Sequence, residues 1–67
     1  MLAFKIARIK KGYTQEKLSE VSKVGRATIS KIEVHGIETV PVKTLEKLAK
    51  ALDMTITELF FADVEGD

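Results

Sequence analysis

An all-α fold, a compact bundle of five short helices, is the architecture this chain predicts. Three observations carry it. Apolar residues recur at helical spacing in one short segment after another. No stretch shows the alternation of a strand. Residues that start or stop helices, Gly12, Thr14, Pro41 and Thr55, stand between the segments. The 67 residues are expected to form one domain, with 61–67 as a tail. So short a chain buries only about 60% of its unfolded surface, so the core must be thin. No cysteine and one histidine leave no disulfide and no ligand cluster, so helix packing must supply the stability.

The elements follow in order. Leu2, Ile6 and Ile9 fall at i, i+4, i+7, with Lys5, Arg8 and Lys11 off that stripe. They predict a first helix over 2–11, ended by Gly12. Thr14 is the expected N-cap of a second helix over 15–22, burying Leu18 and Val21. Val24 is expected to plug the core from the turn, and Gly25 stands at the next N-cap. Ile29 and Ile32 predict a third helix over 26–34. Its outer face then holds Arg26, Ala27, Ser30 and Lys31, with Thr28 near the edge. His35 to Val40 lack periodicity and read as a loop. Pro41 suits the first turn of a fourth helix, 41–52, with Val42, Leu45, Leu48, Ala49 and Leu52 as its stripe. Thr55 and Glu58 match a capping box opening a fifth helix over 56–61.

Charge is divided unevenly. Residues 1–31 hold eight cations against two carboxylates, a net +6. Residues 32–67 hold three lysines against eight carboxylates, a net −5. The first half alone therefore suits a polyanion. It contains two short helices joined by a tight turn, the second polar on its outside. That is the pattern of a helix-turn-helix DNA reader. No signal-peptide pattern and no run of about 20 apolar residues are present, so the expectation is cytoplasmic with no membrane partner. The lone His35, the absence of cysteine and the lack of a phosphate-cradling glycine loop argue against an enzyme. No cofactor, metal or small-molecule ligand is expected.

Four stretches carry a resemblance. They are Gly12-Tyr13-Thr14-Gln15 with Leu18-Ser19, then Ala27 to Glu33, then Thr44 to Leu52, then Glu58-Leu59-Phe60. In this order and spacing the chain resembles the phage-repressor and Cro-like, or XRE, helix-turn-helix family over about residues 4–60. The resemblance implies a lambda-repressor-like five-helix domain in which helices 2 and 3 bind DNA. Small members of the family are dimeric transcription regulators, repressors and restriction-modification controllers among them. Two positions depart from the pattern. Lys23 replaces the usual turn glycine, and Gly25 replaces the usual Ser or Thr cap. The loop after Glu33 is also about one residue longer, without the family's basic residues.

Site roles follow from these readings. Arg26, Ala27, Thr28 and Lys31 are the expected base contacts. A guanidinium can bind guanine O6 and N7 together, and Ala27 and Thr28 can touch a thymine methyl. Gln15, Ser30, Lys43 and Lys23 are the expected phosphate contacts. Lys23 shares with Lys10 and Lys11 a more general part in the field. The resemblance implies that Gln15 also braces the start of helix 3. It further implies that Arg8 and Glu33 form a structural ion pair between helix 1 and the end of helix 3. Ile56, Phe60, Phe61 and Val64 make an apolar end and the expected homodimer interface. Phe60 is assigned to the core side, and Phe61 cannot share its facing. The reading is a regulator that binds double-stranded DNA at a palindromic operator. Its rivals are an autoregulating antitoxin and a protein-interaction bundle. The second half offers little segment to wrap a toxin. An interaction bundle would show large apolar residues on helix 3.

Overall fold

The computed structural model describes residues 1–61. They form five helices: α1 Leu2–Lys11, α2 Gln15–Ser22, α3 Arg26–His35, α4 Val42–Ala51 and α5 Ile56–Phe60. No strand occurs among the described residues. The all-α class and the number of helices are as expected. α3 runs one residue further than predicted, to His35. Pro41 sits just before α4 as its N-cap, with extended backbone (φ −60°, ψ 146°), not inside the first turn.

The caps explain the boundaries. Gly12 ends α1 at φ 84°, a left-handed conformation that costs a residue with Cβ. The Gly12 N–H donates to the Ile9 carbonyl and the Tyr13 N–H to that of Arg8. Thr14 Oγ1 accepts from the Lys17 N–H at 2.9 Å. Thr55 Oγ1 accepts from the Glu58 N–H at 3.0 Å, and Glu58 Oε1 accepts from the Thr55 N–H at 2.9 Å. The capping box is thus reciprocal.

Helix α2 packs on α3 and α4, α1 packs on α3 and α5, and α4 packs on α5. The core holds Phe4, Leu18, Val24, Ile29, Ile32, Leu45, Leu48, Ala49, Leu52, Leu59 and Phe60. Val24 plugs it from the turn. The rings of Phe4 and Phe60 stack with centroids 5.6 Å apart.

Three expectations about facing fail. Leu2, Ile6 and Ile9 lie on the solvent side of α1, at 69%, 43% and 56% exposure. Its buried side holds Phe4 and Arg8. Val21 is exposed, and Ser22 takes the inward place at the end of α2. A hydroxyl is tolerated there because Ser22 Oγ accepts from the Val24 N–H at 3.2 Å. Val42, at the head of the α4 stripe, also faces out. It is the first residue of α4.

Candidate nucleic-acid interface

Ile29 and Ile32 hold α3 against the core and are fully buried. At about 100° per residue the side opposite them carries Ala27 and Val34, flanked by Ser30 and Lys31. Arg26 lies at the start of this side and Thr28 at its edge. Arg26, Ala27, Lys31 and Val34 are exposed, while Thr28 and Ser30 are half-buried. The structure thus places Arg26, Ala27 and Lys31 on one outward ridge and leaves Thr28 half-buried at its edge. It adds Val34, which sequence reasoning left out. Position seven after Ala27 was the available signal, since seven residues are close to two helical turns.

The turn before α3 explains its two departures in sequence. Lys23 adopts the left-handed conformation (φ 64°), which costs a non-glycine residue about 1 kcal/mol. Gly25 has ordinary backbone (φ −58°, ψ 142°), and an added Cβ there would meet no atom within 4 Å. The strained position thus holds the lysine and the relaxed one the glycine. Two serines hold the turn: Ser22 as above, and Ser19, whose Oγ donates to the Val24 carbonyl at 2.7 Å. Gly25 gives α3 no side-chain cap, so its first N–H groups remain open to an anion.

Behind the ridge lies a charged network. Arg8 Nε donates to Glu33 Oε2 at 2.6 Å and Nη2 to Oε1 at 3.3 Å. Arg8 Nη1 donates to the Tyr13 carbonyl at 2.7 Å. Gln15 Nε2 donates to Glu33 Oε1 at 3.1 Å. The pair is well enclosed, with side-chain exposures of 10% and 6%. One carboxylate therefore joins α1, the head of α2 and the third turn of α3. Burial opposes the charge on Glu33. The hydrogen bonds from Arg8 and Gln15, with the charges of Arg8 and Lys5, outweigh it and hold the carboxyl below its usual range. Gln15 thus braces α3 at Glu33 and not at its start as expected. The second N–H of its amide is left over for another acceptor. The Met1 ammonium also donates to the Ile32 carbonyl, at 3.1 Å, and to that of Glu33.

The other cations are more scattered. Lys43 is exposed in the first turn of α4 and Lys23 in the turn before α3. Lys11 Nζ lies 2.6 Å from Asp53 Oδ2, so this cation is engaged with the α4–α5 turn. Their hydrogen bond, and then their mutual charge, raises the Lys11 pKa and lowers that of Asp53. An open cleft of about 510 Å³ lies between α2 and α4, lined in part by Tyr13, Val21, Lys47 and Lys50. It is separate from the α3 ridge. Among the described residues no helix is long and apolar enough to cross a membrane.

A family described as Helix-turn-helix matches residues 4–59 of this chain. The chain belongs to that XRE-like helix-turn-helix family. Comparison with curated proteins and with solved structures returned no match. Membership makes it a DNA-binding regulator of the helix-turn-helix type, with α2 and α3 as the motif. The Arg8–Glu33–Gln15 network ties the head of α2 to the third turn of α3, and α3 to α1.

At the far end of this helix-turn-helix protein, Phe60 is buried against Phe4. It is a core residue and leaves the set expected at a partner surface. Ile56 is half-buried against the same core, and Phe61 is 41% exposed. Val64 lies outside the described residues.

Proposed function

We propose that this protein binds a roughly palindromic operator as a homodimer, with α3 in the major groove of each half-site. The outward ridge of α3 carries the reading. It is polar and cationic at its start, free of large aromatic or leucine side chains, and rigidly backed by a buried network. Arg26 binds a guanine through O6 and N7. Ala27 and Thr28 touch the next bases, and Lys31 reaches a base or phosphate one turn on. Ser30, Gln15, Lys43 and Lys23 meet phosphates, and the basic half adds the counterion-release contribution.

The dimer is supported by the exposed Phe61. The aliphatic side of α1 is a second exposed apolar surface, but Lys5 and Lys10 flank it on both sides and α1 carries no carboxylate. Two copies paired there would set lysines against lysines. Pairing at the Phe61 end avoids this. Two recognition helices would then sit about 34 Å apart, one DNA turn.

Selection of bound duplexes from random DNA tests the reading, since it returns both half-site sequence and spacing. Arg26→Ala is expected to cost about 1–3 kcal/mol of binding, concentrated at one base pair. Equal affinity of variant and parent for the selected operator would remove Arg26 from the reading set. In sedimentation, Phe61→Glu should move the protein from dimer to monomer. A monomeric parent would eliminate the dimer, and with it the palindrome.

A further inference from the structure

We propose that Val34 is a base-reading residue selecting thymine, so that the reading ridge extends a full turn beyond Lys31. The inference rests on the assignment of α3 to the major groove. Val34 is 69% exposed, so its isopropyl group is largely uncovered among the described residues. Its direction is set by register. Ala27 precedes it by seven residues, Lys31 by three and Ser30 by four, which places all of them on one side of α3. The buried Ile29 and Ile32 hold the opposite side. The end of the helix is held as well. The Met1 ammonium binds the Ile32 and Glu33 carbonyls, Glu33 is locked by Arg8, and Gly36 turns the chain away at φ 86°. Val34 is therefore a fixed apolar point.

The chemistry of the groove selects its partner. An isopropyl group neither donates nor accepts a hydrogen bond. Over a G·C pair it would cover N7, O6 and the C4 amino group without replacing their water, and unpaired polar groups are costly. The C5 methyl of thymine is the one apolar feature on a base edge in the major groove. Arg26 and Val34 are eight residues apart, about 12 Å along the helix, or between three and four base steps of about 3.4 Å. The half-site should thus carry the guanine read by Arg26 and, some three to four steps along, a thymine read by Val34.

Replacement of each operator thymine in turn by uracil deletes the methyl group and nothing else. In the parent, one uracil should weaken binding about three- to fivefold per half-site, the value of one buried methyl group. The Val34→Ala variant, an exposed change to a better helix former, should bind the uracil and thymine duplexes at that position equally. A parent indifferent to uracil at every position would overturn the proposal. So would a uracil penalty that persists undiminished in Val34→Ala. Either result leaves the reading of α3 intact if Arg26→Ala still loses its base pair. Failure to select any duplex would remove that reading and this proposal with it.

Discussion

Helices α1 and α4 are each ten residues long, and each carries aliphatic residues at helical spacing. In α4 the stripe is the core: Leu45, Leu48 and Ala49 are buried, as is Leu52 at its C-cap. In α1 the stripe of Leu2, Ile6 and Ile9 faces water. The difference lies in what the rest of the chain offers each helix. Nothing on α4 competes with its leucines. On α1, Phe4 finds the ring of Phe60, and Arg8 finds Glu33 and the Tyr13 carbonyl. Rotating α1 by half a turn would bury aliphatics worth about 1.5–3 kcal/mol each. It would also expose Phe4 and leave Glu33 enclosed without its cation, a loss of several kcal/mol. Periodicity thus locates a helix, while specific partners choose its buried side.

The largest effect is expected on removing the partner of α1. Arg8→Ala leaves Glu33 enclosed and uncompensated and should cost about 3–5 kcal/mol. A chain of this length has only about 3–10 kcal/mol in total, at about 0.05–0.15 kcal/mol per residue. The variant should therefore be largely unfolded or strongly lowered in Tm. Replacing both partners, Arg8→Met with Glu33→Met, should cost less than the two single changes together. The same dependence appears with pH. The folded-state pKa of Glu33 lies below its ordinary value, so its contribution is complete above the unfolded pKa of about 4.3. It is lost as pH falls through the lower folded value. Amide exchange should then show α1 losing protection before α4. If α4 opened first in acid, the network would not be what anchors α1.

Within α4 the corresponding change is Leu48→Ala, at a fully buried position. Loss of transfer energy and the cavity left behind should together cost about 2–5 kcal/mol, read from urea unfolding. A value under about 1 kcal/mol would mean that the α4 stripe is no more essential than that of α1.

Much of this was legible in the amino acids alone. The five helices were, because caps such as Gly12, Thr14 and Thr55 are local signals that tertiary packing did not override. The α3 ridge was legible up to Lys31, because Ile29 and Ile32 define its opposite side. Three features were not. The facing of α1 depends on Glu33, 25 residues away from Arg8, and no local pattern encodes that distance. The inward Ser22 depends on a hydrogen bond within a turn whose geometry Lys23 disguises, since a lysine seldom marks a left-handed position. Val34 is the last residue of the helix expected over 26–34, and the outer face of that helix was followed only as far as Lys31.

The smallest effect is expected at Ile9. Ile9 occupies the same kind of sequence position in α1 as the leucines in α4, yet it is 56% exposed. Ile9→Gln replaces a β-branched residue with a better helix former and removes no enclosed contact. Its effect on monomer stability should stay within about 0.5 kcal/mol, measured by urea unfolding at several protein concentrations. A loss above 1 kcal/mol that grows with concentration would mean that a second copy covers the outer side of α1. The aliphatic stripes of α1 and α4 would then be equivalent after all, one buried by folding and the other by assembly. The lysines on either side of the α1 stripe argue for the small value, because a symmetric partner would have to bring Lys5 and Lys10 against their own images.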